Sequence, residues 1–341
     1  MSNTINYQEL AERSLAGEML SREECLAILR TSEEGLPQLL DAACHVREAH
    51  FGRYVRMQML VNAKSGHCGE DCGYCSQSKD STAPINKYPL QSKEALLDGA
   101  EEAQSQGAGR FCIVTSGDTL NKNNLEQLEQ AVRHIKENVA IPLCCSVGSL
   151  NEEQAAVLKD AGVGWINHNL NTSRGYYKEI CGTHSYDDRV DTLRTARKAG
   201  LRMCSGGIIG MGESDEDVVE MAIACRELDV DTIPLNFYHP IEGTPLANRG
   251  RLSPEYCLKA LCLFRLVNPT KELRIAGGRE LHLGEKQGLA LNAANSLFFD
   301  GYLTTSGNNA DETKQMIENA GFVVVEGTKG IGSYEQEQST I

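Results

Sequence analysis

Short apolar stretches alternate with longer amphipathic stretches along most of the chain. The apolar stretches are rich in Val, Ile, Leu and Phe and are bounded by polar residues, which is typical of buried β-strands. Eight strands are predicted on this basis, at residues 56–63, 110–116, 141–147, 164–170, 201–209, 231–238, 272–278 and 294–299.

The stretches between these strands carry apolar residues at helical spacing. In one of them, Asn151 stands at a favourable N-cap position and Gly162 follows the last periodic residue, where helices commonly end. Strands separated by helices are typical of parallel βαβ units. Eight such units indicate an α/β fold, a TIM-type (β/α)8 barrel, better than a doubly wound sheet. Helices are predicted at residues 92–107, 124–139, 151–162, 185–200, 214–229 and 253–267.

The two ends of the chain lack this alternation. Residues 7–50 carry further helical patterns, so we expect residues 1–50 to form an N-terminal helical extension. The barrel is expected to span residues 51–320 without a linker that would split it. Residues 321–341 are expected to form a short disordered C-terminal tail, because residues 326–341 are polar and have no regular pattern.

Composition and charge narrow the classes of partner. The 341-residue chain carries a net charge of −14, and no nucleic-acid partner is expected because phosphate binding needs a basic face. No stretch approaches the roughly 18 apolar residues that a transmembrane helix needs, and the first residues lack the pattern of a signal peptide. We therefore expect a soluble cytoplasmic protein with no membrane partner.

The chain contains thirteen cysteines, which a cytoplasmic protein would not use for disulfides, because its compartment is reducing. Several of them lie in helical patterns and are predicted to be packed core thiols. Cys181, after the fourth predicted strand, is interpreted as a bystander close to the barrel mouth. The predicted core thiols are Cys25, Cys44, Cys225, Cys257 and Cys262.

Three cysteines, Cys68, Cys72 and Cys75, follow the first predicted strand within eight residues. In a (β/α)8 barrel such a loop lies at the mouth, where active sites are built. A structural zinc ion needs four ligands, and His67 could supply the fourth, so a zinc site remains an alternative. Clustered cysteines also bind iron–sulfur clusters, and three thiolates on a cubane leave one iron open for a reactant.

Four further cysteines lie inside predicted strands: Cys112, Cys144, Cys145 and Cys204. Alternate residues of a barrel strand point inward, so thiols from different strands can converge in the interior. Cys144 and Cys145 are adjacent, and therefore only one of them can point inward.

The sequence resembles the radical S-adenosylmethionine superfamily and, within it, the biotin synthase family. The CxxxCxxC motif, with Tyr74 before its last cysteine, carries the first resemblance. The second depends on further blocks that occur in the family's order over about residues 40–320. These blocks are NAKSGHCGEDCGYCSQS (62–78), RFCIV (110–114), NHNLNTS (167–173), CSGGIIGMGE (204–213), PLNFYHPIEGTPL (234–246), LRIAGGRE (273–280) and ANSLFFDGYLTT (294–305).

This resemblance implies an enzyme, a sulfurtransferase that inserts sulfur into dethiobiotin to form biotin. It implies a [4Fe–4S] cluster on Cys68, Cys72 and Cys75 that binds S-adenosylmethionine at its open iron and cleaves it to a 5′-deoxyadenosyl radical. It further implies a homodimer and an electron donor such as flavodoxin or ferredoxin.

A second, [2Fe–2S] cluster is implied as the sulfur donor. One of its ligands is implied to be Cys144 or Cys145, and the distance along the chain to the following GSL segment favours Cys144. Guanidinium is always protonated in proteins, so an arginine ligand rests on the resemblance alone, and without it a buried ion pair would be the interpretation. The implied ligands are Cys112, Cys144, Cys204 and Arg274.

The resemblance also assigns residues around the two small molecules. Many relatives have Asp where this chain has Asn171, and an amide lacks the charge-assisted bonds of a carboxylate. The residues implied to bind S-adenosylmethionine are Tyr74, Asn169, Asn171 and the G-x-I-x-G-x-x-E positions Gly206, Ile208, Gly210 and Glu213. Those implied to surround dethiobiotin are Lys64, Asn167, Asn236 and Thr304.

Three alternatives remain at this point. Another radical enzyme, of the hydrogenase-maturation or thiazole-precursor type, would share the first cysteine motif but should lack the second ligand set. A structural zinc protein would leave Cys112, Cys144 and Cys204 unexplained. A barrel with a purely structural cluster would not need the GGIIGMGE turn.

Overall fold

A computed structural model describes residues 5–249 and 251–327. Its strands are β1 (Tyr54–Lys64), β2 (Phe111–Thr115), β3 (Leu143–Ser146), β4 (Trp165–Asn167), β5 (Arg202–Cys204), β6 (Gly207–Ile209), β7 (Thr232–Phe237), β8 (Glu272–Ile275), β9 (Ser296–Phe298) and β10 (Val323–Val325). Its α-helices are α1 (Tyr7–Leu15), α2 (Arg22–Leu29), α3 (Leu36–Phe51), α4 (Lys93–Ser105), α5 (Lys122–Asn138), α6 (Glu152–Ala161), α7 (Tyr186–Lys198), α8 (Asp215–Glu227), α9 (Pro254–Val267), α10 (Arg279–Leu283) and α11 (Ala310–Asn319). Short 3₁₀ helices occupy Tyr177–Glu179 and Gly284–Asn292.

The strands form a closed parallel barrel, as predicted. The strands pair in the order β1, β2, β3, β4, β5, β7, β8, β9, and β1 pairs with β9 to close the ring. Closure excludes the doubly wound alternative, because an open sheet has two unpaired edges. β5 and β6 together occupy one of the eight positions, since both pair with β7.

The break between β5 and β6 divides what the sequence predicts as one strand at 201–209. Ser205 donates to Thr232 of β7 (N···O 2.9 Å), and the next bond of a parallel ladder would need an N–H from residue 234. Residue 234 is a proline and has no N–H to donate. The ladder therefore stops there and resumes at Gly207, which pairs with Leu235.

Local signals in the sequence explain where the helices begin and end. The Asn151 side chain accepts from the backbone N–H of Gln154, whose side chain accepts in return from the N–H of Asn151, a capping box at the start of α6. Gly162 ends the same helix with φ of 110°, a left-handed conformation that favours glycine. The apolar faces of such helices pack against the outside of the barrel, where the main core lies.

Both ends of the described chain contact the barrel assembly. The N-terminal helices pack along α9, and Ser14 Oγ donates to the carbonyl of Leu266 (2.7 Å). β10 pairs in parallel with the start of β1, with Tyr54 opposite Val323. Ordered structure thus extends into the predicted tail. The sequence did not predict this strand, because three consecutive valines are too short a run to stand out from the polar sequence around them. Residues 328–341 of the predicted tail lie outside the described residues.

Among the residues that the structure describes, no helix combines the length and the apolar character that a membrane span requires.

Candidate active site

A cavity of about 680 Å³ lies at the carboxyl ends of the barrel strands. Its walls come from the loops after β1, β2, β3, β4, β7, β8 and β9, so residues far apart in sequence meet in one space. The predicted site residues in these walls are Cys68, Cys72, Tyr74, Cys75, Cys112, Asn167, Asn169, Asn171, Ile208, Asn236, Arg274 and Thr304.

The loop with the first three cysteines is fixed by neighbouring loops. The N–H of Gly73 donates to the carbonyl of Ile180 (2.8 Å), and the carbonyl of Gly73 accepts from the N–H of Leu246 (3.2 Å). Ser76 Oγ lies 2.9 Å from Thr304 Oγ1. Cys72 is buried while Cys68 and Cys75 are half-buried, so the loop presents thiols of differing depth from a braced backbone.

Cys181 is a contact of this loop that the sequence interpretation missed. Its Sγ lies 3.7 Å from Cys72 Sγ and 3.2 Å from His184 Nδ1. The contact with Cys72 is the main cause that lowers the pKa of Cys181 to about 4, and the same contact raises the pKa of Cys72. The available signal was position: Cys181 follows β4 as the cysteine motif follows β1, and both loops meet at the mouth.

The candidate zinc ligands do not form one site. His67 is exposed and does not belong to the group formed by Cys72, Cys181 and His184, whose donor atoms lie within 4.8 Å of one another. In that group, His184 Nε2 accepts from Arg189 Nη2 (2.7 Å), and Nδ1 is 2.5 Å from Glu70 Oε2. Both ring nitrogens of His184 therefore have protein partners.

A second feature that the sequence did not reveal is Arg189 of α7. In the amide orientation that satisfies its neighbours, Asn171 Oδ1 accepts from Tyr74 Oη (2.7 Å) and Arg189 Nη2 (3.2 Å). Arg189 Nη1 donates to the carbonyl of Asn169 (3.0 Å). Asn171 thus joins the cysteine loop to α7, and Arg189 places a cation in the cavity wall. Nothing in the helical pattern of α7 distinguishes this arginine from a surface residue.

Backbone constraints require glycine at two positions of the Gly-rich segment after β5. A Cβ on Gly206 would lie 2.1 Å from the carbonyl oxygen of Pro234, and Gly210 has φ of 103°. The Glu213 carboxylate accepts from the N–H groups of Gly210 (2.6 Å) and Met211 (2.8 Å), and burial raises its pKa. In this segment, Ile208 lies in the cavity wall.

The strand cysteines divide between the two sides of the barrel. Cys112 and Cys144 are opposite each other in the β2–β3 register, and with Cys204 they form a small buried cluster together with Trp165, Ala276 and Phe298. Cys145 instead belongs to the main core between the barrel and the helices. Strand alternation therefore puts Cys144 inside and Cys145 outside.

Neighbouring thiols and two arginines shift the pKa values of the interior cysteines. The contact with Cys144 is the main cause that lowers the pKa of Cys112, and it also lowers the pKa of Cys204 to about 6. Arg274 and Arg110 lower both pKa values further. The same contacts raise the pKa of Cys144. Metal ligation requires thiolates, and buried guanidinium groups favour them.

Arg274 combines the two interpretations that the sequence left open. Its Nη1 lies 4.0 Å from Cys204 Sγ, and its Nη2 donates to Glu272 Oε1 (2.6 Å) in a buried ion pair. Glu272 Oε2 also accepts from Arg110 Nη2 (3.0 Å). Although burial acts in the opposite direction, Arg110 and Arg274 hold the pKa of Glu272 well below its usual range.

The four residues implied for the substrate differ in their surroundings. Asn167 Nδ2 lies 3.2 Å from Cys204 Sγ, which connects the cavity wall to the interior thiols. Asn236 donates to the carbonyl of Gly207 (3.1 Å) and accepts from the N–H of Gly277 (2.9 Å), so both its amide atoms hold backbone groups. Thr304 bonds Ser76, as described above. Lys64 is half-buried and does not line the cavity in its present rotamer, but its Nζ lies beside Gly117, a residue of the wall.

Comparison with known proteins identifies the family. The model of the radical SAM superfamily matches residues 64–224, and that of the biotin and thiamin synthesis associated domain matches residues 234–323. The curated biotin synthase of Geobacillus kaustophilus is 50% identical over 319 residues, which cover 94% of this chain and 96% of that protein. The biotin synthase of Bacillus subtilis is 48% identical over 318 residues, covering 93% and 95%. The chain belongs to the biotin synthase family. It is therefore a radical S-adenosylmethionine enzyme, with a [4Fe–4S] cluster and S-adenosylmethionine as cofactors.

Solved structures show how widely this fold is used. A methylornithine synthase superposes with a TM-score of 0.81 at 21% identity, covering 96% of this chain and 99% of that one. An FeFe-hydrogenase maturase from Carboxydothermus hydrogenoformans gives a TM-score of 0.78 at 18% identity, covering 93% of this chain and 79% of that one. At such identities the likeness concerns the barrel fold alone. The biotin synthase relatives, at 48–50% identity, decide against the hydrogenase-maturation, thiazole-precursor and zinc-protein alternatives.

Proposed function

We propose that this enzyme inserts sulfur into dethiobiotin and takes that sulfur from a [2Fe–2S] cluster in the barrel interior. The observation that carries the proposal is a cavity whose walls include the three thiols of the first predicted ligand set together with Cys112 and Arg274 of the second. A substrate in this cavity would lie between the group that generates a radical and the group that donates sulfur. The ligands that we assign are Cys68, Cys72 and Cys75 for the [4Fe–4S] cluster, and Cys112, Cys144, Cys204 and Arg274 for the [2Fe–2S] cluster.

The interior residues fit the second cluster chemically. Three buried thiols converge, and two guanidinium groups beside them favour the thiolate forms of Cys112 and Cys204, the form that iron binds. When bound, the two clusters supply the electron that cleaves S-adenosylmethionine and the sulfur that enters the product. The chain itself supplies the ligands, the orientation of both small molecules and a barrel interior that excludes water.

The mouth of the cavity suits S-adenosylmethionine. Arg189 provides a half-buried cation that can pair with the carboxylate of the amino acid part, and Asn171 holds it beside Tyr74. Ile208 offers an apolar surface for the adenine. We assign Asn169 to the same binding site, while Gly206, Gly210 and Glu213 would act by shaping the backbone around Ile208.

Dethiobiotin would occupy the deeper part of the cavity. Asn167 lies against Cys204, and Asn236 and Thr304 line the same space, so polar groups of the substrate could be oriented near the interior thiols. Lys64 would pair with the substrate carboxylate at the edge beside Gly117. An amide at Asn171 retains the bonds to Tyr74 and Arg189 that a carboxylate would also make.

The wider setting that we propose is a homodimer in the cytoplasm, reduced by a flavodoxin or ferredoxin. All thirteen cysteines lie among the described residues and are free thiols, which suits a reducing compartment. We further propose residues 1–50 as a helical extension and residues 51–320 as the catalytic barrel, followed by the tail.

Metal and sulfide analysis of the anaerobically purified full chain tests this function. The proposal predicts two iron–sulfur clusters per chain, visible as about six irons and six sulfides, and conversion of dethiobiotin to biotin with S-adenosylmethionine and a reductant. One cluster per chain, or zinc in place of iron, would contradict it.

A further inference from the structure

Glu272 lies at the N-terminal end of β8 between two arginines. Its Oε1 accepts from Arg274 Nη2 (2.6 Å) and its Oε2 from Arg110 Nη2 (3.0 Å). The exposed fractions of the side chains are 7% for Glu272, 0% for Arg274 and 4% for Arg110. Charges at this depth are expensive to bury unless they are paired. One carboxylate therefore compensates two guanidinium groups directly beside the interior thiols.

The contacts of Arg274 fix its orientation. Its Nε donates to Ser296 Oγ (3.1 Å) and its Nη2 to Glu272, and Nη1 faces Cys204 Sγ at 4.0 Å. A guanidinium group is planar, so holding Nε and Nη2 determines where Nη1 points. The direction of Nη1 toward the thiols thus depends on Glu272 and Ser296.

Glu272 is itself held by side chains on or beside three other strands. Thr232 Oγ1 of β7 lies 3.4 Å from Oε2, and Gln58 Nε2 of β1 lies 3.5 Å from Oε1. Arg110, directly before β2, is held in turn over the ring of Trp165, with 4.0 Å from its Cζ to the ring centroid. Such a braced carboxylate can hold Arg274 in one orientation.

We propose that Glu272 is a positioning residue for the sulfur-donor cluster: it directs Nη1 of Arg274 toward Cys204 and places a negative charge near the cluster. The inference rests on the proposed function, since it requires a cluster on the interior thiols. Nearby charge is one of the factors that set the reduction potential of an iron–sulfur cluster. A negative charge disfavours the added electron, so Glu272 lowers that potential.

Three variants of the full chain, reconstituted anaerobically with iron and sulfide, separate orientation from charge. Glu272→Gln keeps the length of the side chain and removes its charge. Glu272→Asp keeps the charge and shortens the reach to Arg274. Glu24→Gln is the matched control, because Glu24 also accepts from an arginine, Arg13, but lies on α2 outside the barrel. The measurements are the visible absorbance and the midpoint potential of each cluster.

The expected result is a second cluster with a more positive midpoint potential and altered absorbance in Glu272→Gln, while the absorbance of the first cluster is retained. Glu272→Asp should have a potential closer to that of the parent but hold less of the second cluster. Glu24→Gln should match the parent in both measurements.

An unchanged absorbance and potential of the second cluster in Glu272→Gln would overturn the inference. If that variant does not fold, full occupancy of the second cluster at the parent potential in Glu272→Asp would overturn it as well. A parent enzyme without a second cluster would instead refute the proposed function, so the two failures are distinguishable.

Discussion

Cys144 and Cys145 show, for single residues, how the alternation of side chains along a strand determines which thiol can serve as a ligand. Both thiols are fully buried and adjacent in sequence, but Cys144 faces the interior cluster and Cys145 faces the helices. A change of either residue to alanine removes the same volume. Only the change at Cys144 removes a thiol that contacts Cys112 and Cys204.

This difference gives a matched pair of variants. Cys144→Ala and Cys145→Ala should each lose about 1–3 kcal/mol of unfolding free energy, because each leaves a small cavity. Cys144→Ala should also lose the absorbance of the second cluster and biotin formation, whereas Cys145→Ala should retain both. The opposite pattern, with the cluster lost in Cys145→Ala, would show that the inward thiol is assigned incorrectly.

The sequence was informative about some residues of the site and silent about others. Strand alternation predicted that thiols of different strands can converge and that only one of Cys144 and Cys145 points inward, because a period of two is local and can be seen in the sequence. The choice of Cys144 over Cys145 came from the family resemblance. Arg189 and Glu272 owe their roles to contacts with residues distant in the chain, and no local pattern distinguishes them. Cys181 was placed near the mouth, but its contact with Cys72 depends on how two loops approach each other.

Among the secondary-structure elements, the break between β5 and β6 is a feature that the sequence pattern did not predict. The apolar run at 201–209 predicts one strand, and the structure divides it because Pro234 cannot donate a ladder bond. Pairing across strands is not visible in a single run, so the break could not be predicted from it. Gly206 stands at the break, and its close approach to Pro234 makes it the sensitive residue.

A prediction about Gly206 follows from this approach. Gly206→Ala would bring a Cβ to 2.1 Å from the Pro234 oxygen, so β6 must shift, at a cost of about 1–3 kcal/mol in unfolding free energy. The shift should move Ile208 and weaken S-adenosylmethionine binding, which calorimetry can measure alongside thermal unfolding.

Gly164→Ala provides the control for this substitution. A Cβ on Gly164 would meet the carbonyl oxygen of Leu143 at an ordinary 3.6 Å, so its unfolding free energy should change by less than about 0.5 kcal/mol. If Gly206→Ala were as stable as Gly164→Ala and bound the cofactor equally well, the steric account of the β5–β6 break would be incorrect.

At the scale of the whole molecule, barrel closure explains why two ligand sets can serve one reaction. The loop after β1 and the interior strand β2 are separated in sequence, but the closed ring brings Cys68, Cys72, Cys75 and Cys112 into the wall of one cavity of about 680 Å³, with Cys144 and Cys204 packed beside Cys112. The eight-fold alternation predicted the closed ring, and the ring explains the shared space. We propose that the interior set supplies the sulfur and the mouth set supplies the radical.

The most direct test measures both products of one anaerobic turnover with dethiobiotin in Cys204→Ala and Cys72→Ala. Cys204→Ala should lose the second cluster and form no biotin while still producing some 5′-deoxyadenosine, because the ligands of the first cluster are intact. Cys72→Ala should produce neither, since two thiolates cannot hold a cluster with one open iron. Biotin at near-parent yield from Cys204→Ala would contradict the account, as would 5′-deoxyadenosine at the parent rate from Cys72→Ala.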